Sequence, residues 1–198
     1  MLFRLKLRWW TALAALVVLC GCALLSRRGL PHPTPFGEAR HLVNGVMAAG
    51  VMLCIDGAIH GVAVLAAGRA YLDRFQQLHA TFAAQSWDAI ACGSLLAGLG
   101  EEIVFRGLDA RPAWLFVSAV AFGVCHRCRE HAWYFTLWAV WEGIALGALV
   151  VATGVLIPAM VAHTVHDLLG FAYFRRLNHA LNAAEARGEG HRHGGAAA

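Results

Sequence analysis

Apolar residues run along this chain in blocks too long for a soluble core helix. Such blocks occupy roughly 9–25, 42–67, 87–109, 113–130, 133–153 and 155–174, each near the roughly 20 residues that cross a bilayer. Polar clusters separate them. The weakest division lies within 113–153, where Arg127, Arg129, Glu130 and His131 form the break. The pattern predicts an all-α, multi-pass transmembrane bundle of about six helices. Three parts follow: an N-terminal anchor helix and loop at 1–41, a core at 42–177, and a polar tail at 178–198.

Composition sharpens this reading. Hydrophobic residues make up 59% of the chain and charged residues 14%, with a mean hydropathy of +0.58. A soluble domain carries about a quarter charged residues, so lipid is the expected solvent. The net charge of +4 does not indicate a nucleic-acid partner, because the basic residues sit at the termini and between the apolar runs, as topology signals do. With six spans and a cytoplasmic N-terminus, Arg4, Lys6, Arg8, Arg69, Arg74, Arg127, Arg129, Arg175, Arg176, Arg187 and Arg192 fall inside. Arg27, Arg28, Arg40, Arg106 and Arg111 fall outside. This excess favours both termini in the cytoplasm.

The first span follows a basic stretch and could be read as a cleaved signal peptide ending near Cys20-Gly21-Cys22. Several later spans favour a retained anchor. Cys20, Cys22, Cys54 and Cys92 lie inside apolar runs as small hydrophobes rather than a disulfide framework. Cys125-His126-Arg127-Cys128 has C-x-x-C spacing but no second such pair, and His191-Arg192-His193 lies in a tail read as disordered. An alanine-, glycine- and arginine-rich, lysine-poor composition points to a bacterial cytoplasmic membrane.

Ionisable groups inside apolar runs are costly, so each is a functional candidate. Glu101-Glu102 precedes Arg106, and the i, i+4 spacing lets Arg106 reach Glu102 on a helix. That pairing leaves Glu101 as the better general base. His126 closes the apolar segment that begins at Phe122. His163 and Asp167 share a helical face. Counted at about 1.5 Å per residue from the outer turns, these groups lie about 12 to 20 Å deep and can meet. Asp56 with His60 reads best as a buried polar pair in helix packing, beside a Gly57/Gly61 small-residue face. Glu142 receives no role, and Gly143 and Gly147 read as close-packing positions.

The ordered set E-E-x-x-x-R, F-x-x-x-H and H-x-x-x-D, with the Gly143 to Pro158 stretch between the last two, resembles the CAAX-protease and bacteriocin-processing (CPBP) family of intramembrane proteases over roughly 87–171. Asp167 stands where the eukaryotic-type members have asparagine. The resemblance implies an endopeptidase in which Glu101 and His126 activate a water. It further implies that His163, oriented by Asp167, stabilises the oxyanion, while Glu102 and Arg106 organise the site. It implies a membrane-associated protein or peptide substrate and no required cofactor, the alternative being zinc at Glu101, His126 and His163. Two other readings compete. One is a non-enzymatic immunity or scaffold protein on the same fold. The other is a transporter relaying protons through Asp56, Glu101, Glu102 and Glu142.

Overall fold

The computed structural model describes residues 39–107, 112–126 and 132–187. Five helices make up this part: α1 Ala39–Ala83, α2 Trp87–Phe105, α3 Pro112–Cys125, α4 Ala132–Thr153 and α5 Ile157–Ala186. All described residues are helix or short turn, as the apolar blocks predict. The expected first span at 9–25 lies outside the described residues.

Local chemistry sets the ends of these helices. Ser86 caps α2, its hydroxyl accepting from the Ala89 amide, and Asp88 lies in the first turn, where a carboxylate suits the helix dipole. At the other end the Gly107 amide turns back onto the Glu102 and Ile103 carbonyls. Pro112 opens α3, where its missing N–H costs nothing. Gly154, with φ 70°, makes the turn between α4 and α5.

Two boundaries differ from the sequence expectation. The span expected at 42–67 is the apolar part of a longer helix: Gly68 has non-helical angles (φ 53°, ψ −131°), and beyond this kink the chain continues as helix to Ala83. At the other end, α5 does not stop near residue 177 but runs to Ala186, into the segment expected to be disordered. Ala180, Leu181, Ala183, Ala184 and Glu185 are good helix formers, and they extend a helix already nucleated in the core. The tail beyond Arg187 lies outside the described residues.

Helix α5 is the centre of the bundle and packs against α1, α2 and α4, while α3 packs on α4. Close approach is bought with glycine. A Cβ at Gly98 would lie 2.8 Å from the Thr164 amide nitrogen and 2.9 Å from the Met160 carbonyl oxygen, so α2 meets α5 backbone to backbone. The expected role of Gly143 is similar: a Cβ there would stand 2.9 Å from Ala119 Cα. Gly147 makes ordinary contact with Leu115 instead. Gly57 and Gly61 have no neighbour within 4 Å of a Cβ, so that small-residue face packs against nothing described.

Among the described residues, large apolar side chains face outward while several charged ones are buried. Leu42, Val46, Met47, Val51, Val62 and Leu65 on α1 are exposed, whereas Asp56, Glu102, Arg106, His163 and His166 are buried. A water-soluble protein would reverse this, and an exterior of this kind suits lipid. The segments Ala39–Gly68 and Phe135–Thr153 have the length and composition to cross a membrane. Cys54, Cys92 and Cys125 are free thiols on the exterior.

Candidate active site

The first polar cluster begins at the end of α2. One turn separates Glu102 from Arg106, and the guanidinium reaches the carboxylate at 2.7 Å with both side chains fully buried, as their spacing predicts. A second guanidinium nitrogen donates to the Gly143 carbonyl at 3.2 Å, tying α2 to α4. Glu102 Oε1 also takes His163 Nδ1 at 2.8 Å. A carboxylate oxygen between a guanidinium and an imidazole must accept from both, so His163 Nδ1 is the donor. Its Nε2 is then left on the opposite edge of the ring.

That nitrogen faces Glu101. Glu101 Oε2 stands 3.8 Å from His163 Nε2 and 3.7 Å from His126 Nε2, and is itself buried without a hydrogen-bond partner. His126 Nδ1 lies 2.8 Å from the Phe122 carbonyl, which can only accept, so Nδ1 carries a proton there. His126 Nε2 is left as an acceptor when the ring is neutral. Separations of 3.7–3.8 Å exceed a hydrogen bond, so Glu101 Oε2 faces both imidazoles without bonding either directly. The Glu101 and His126 side chains are each about a third exposed (32% and 31%), against 4% for His163. The cluster is therefore open on one side and dry behind.

Phe122 holds the two histidines apart. Its ring is buried and lies 4.2 Å from the His126 ring and 5.8 Å from the His163 ring, centroid to centroid. The Arg106 guanidinium carbon sits 4.7 Å from the Phe122 centroid, and Phe105 packs edge-on at 5.2 Å. The phenylalanine of the F-x-x-x-H motif is thus the wall shared by His126, His163 and Arg106.

Glu101, Glu102, Arg106, His126, His163 and Asp167 all converge here. One relationship differs from the sequence expectation. Asp167 Oδ2 lies 3.6 Å from His163 Nε2, too long for the hydrogen bond that would orient the ring and on the nitrogen that faces Glu101. Glu102 orients His163 instead. Adjacent glutamates point to different faces of a helix, and only packing against α5 reveals which one meets the histidine.

A second cluster escaped the sequence reading. Asp56 pairs with His166 at 2.6 Å across α1 and α5, not with His60. His60 Nδ1 is 3.0 Å from the Tyr71 hydroxyl, beyond the Gly68 kink. Glu142 Oε1 lies 3.6 Å from His166 Nε2 and accepts from Trp138 Nε1 at 2.7 Å. The acidic residues Asp56, Glu101, Glu102 and Glu142 therefore divide between two clusters. Among the described residues, the three potential metal ligands drawn within 4.8 Å of one another are Asp56, Glu142 and His166.

Residues 83–169 match the family model described as type II CAAX prenyl endopeptidase Rce1-like, a stretch that contains every residue of the first cluster. Over that stretch the chain is similar to this family of endopeptidases, which is consistent with a CPBP family intramembrane protease. No curated protein and no solved structure matches the chain.

Proposed function

We propose that the chain is a glutamic-type intramembrane endopeptidase that cuts a membrane-associated protein or peptide. The observation that carries this reading is the buried, unpartnered Glu101 Oε2 facing Nε2 of both His126 and His163 at 3.7 and 3.8 Å. A water held between Glu101 and His126 attacks the scissile carbonyl while Glu101 takes its proton. His163, protonated at both ring nitrogens, hydrogen-bonds the oxyanion of the tetrahedral intermediate from Nε2 and keeps that proton, with the ring fixed from behind by Glu102 and Arg106. The intermediate then collapses: the C–N bond breaks, Glu101 returns the proton to the departing amine, and the carboxylic acid formed loses its own proton to solvent on release.

Glu101, His126 and His163 also form a donor set that zinc accepts. The proposal assigns water activation to Glu101 and His126 without a metal, because these two groups already supply a base and a second acceptor for the water. The chain is proposed to lie as a multi-pass protein in a bacterial cytoplasmic membrane. Arg175 supports that topology: from within α5 it donates to the Gln85 carbonyl and lies over the Trp87 ring, joining two segments expected on the cytoplasmic side.

The test is cleavage in proteoliposomes. Native protein, Glu101→Gln and His163→Ala are compared on membrane proteins from the same cell, with C-terminal products read by mass spectrometry. Products from the native chain alone support proteolysis; identical product sets from three folded proteins favour a non-enzymatic binding role.

A further inference from the structure

The proposed chemistry leaves the second cluster unused. Asp56 from α1, Glu142 from α4 and His166 from α5 bring two carboxylates and an imidazole together, their side chains 8%, 14% and 9% exposed. Each carboxylate is held from outside by an indole: Trp141 Nε1 donates to Asp56 Oδ1 at 3.1 Å, and Trp138 Nε1 to Glu142 Oε1 at 2.7 Å. Asp167 Oδ1 adds a third carboxylate 3.7 Å from His166 Nδ1. Arg106 already serves Glu102 and the Gly143 carbonyl. Three carboxylates around one imidazole in a low-dielectric interior are stabilised by added positive charge, which a proton on the ring or a bound cation can supply.

The geometry of the histidine suits a cation. His166 Nδ1 is buried without a hydrogen-bond partner, while Nε2 meets the Asp56 and Glu142 oxygens. If Nε2 is a ligand, the ring is neutral and its proton sits on Nδ1, facing Asp167. This is the carboxylate–histidine–metal arrangement that fixes a ligand's tautomer. One imidazole nitrogen and two carboxylate oxygens, drawn from three helices, suit zinc or another first-row divalent ion.

We propose that Asp56, Glu142 and His166 bind a divalent transition-metal ion, with Asp167 as hydrogen-bond acceptor for His166 Nδ1. The ion replaces the direct Asp56–His166 hydrogen bond and joins α1, α4 and α5. The site stands independently of the proteolytic reading. Only its link to that chemistry, through Asp167 and His163 Nε2 at 3.6 Å, rests on it.

The experiment uses the full chain purified in detergent, stripped of metal and titrated with Co²⁺, read by its visible absorption and competed with Zn²⁺. Helical circular dichroism establishes that each variant is folded. One Co²⁺ per chain is expected for the native protein and for Glu101→Gln. Binding at least about tenfold weaker is expected for Glu142→Gln and His166→Gln, and about 10–100-fold weaker for Asp167→Asn. A folded native chain without a Co²⁺ spectrum overturns the proposal. So does binding lost in Glu101→Gln but kept in Glu142→Gln, which places the ion in the other cluster.

Discussion

Glu102 and His163, 61 positions apart in sequence, share a 2.8 Å hydrogen bond through the same carboxylate oxygen that takes the Arg106 guanidinium. An oxygen committed to two donors is an anchor and a poor base. The labour within the paired glutamates is divided accordingly: Glu102 holds the histidine, and Glu101 is left as the carboxylate proposed to meet the water.

Arg106→Ala should be among the most damaging single changes. It leaves the Glu102 carboxylate buried beside His163 alone, and breaking a fully buried pair costs about 3–5 kcal/mol. Arg106→Lys should recover only part of this, since a single ammonium cannot reproduce the fork that spans Glu102 and the Gly143 carbonyl. Unfolding in mixed micelles measures both.

Phe122→Ala should cost about 3–5 kcal/mol of stability by opening a cavity beside two histidines and an arginine. Because that ring sets the separation of His126 and His163, turnover should fall by about a hundredfold in protein that remains folded. KM should change little. Steady-state cleavage kinetics on Phe122→Ala and Phe122→Leu separate the packing loss from the positioning loss.

Gly98→Ala should loosen α2 from α5. The added methyl meets the Thr164 backbone and the Met160 carbonyl, neither of which can rotate away, and strain of this kind costs about 1–3 kcal/mol. Since Glu101 rides on α2 and His163 on α5, activity should fall with stability. Gly50→Ala, where nothing lies within 4 Å of a Cβ, is the control and should leave both nearly unchanged.

Metal dependence is best tested in Glu142→Gln, in which the proposed second site is disabled. If Glu101 and His126 activate water unaided, a chelator should leave the residual activity of this variant unchanged. Loss of that activity, restored by Zn²⁺, would place a metal at Glu101, His126 and His163.

Much of this architecture was legible in the chain. The apolar blocks gave the helices from α1 to α5, and Gly143 marked a true close approach. The motif spacings brought Glu101, Glu102, Arg106, His126, His163 and Asp167 to one place. Local spacing failed where the partner lay on another helix. Asp56 and His60 are one turn apart, yet Asp56 turns inward to His166, 110 positions away, and His60 finds Tyr71 only because Gly68 bends the chain. Glu142 had no nearby sequence partner other than tryptophans, one of which proved to be its donor. Helical extension past residue 177 was hidden by polar composition, although the alanines there carry high helix propensity.

The central claim is that Glu101 is the base that activates water. Its most direct test is the single-turnover cleavage rate of Glu101→Gln against the native chain in proteoliposomes, on a substrate whose product has been defined by mass spectrometry. Glutamine keeps the shape and the polar oxygen but cannot take the proton, so the account predicts a loss of about 10²–10⁴-fold in the folded variant. A rate within about threefold of native would contradict it, because a positioned general base contributes far more than that.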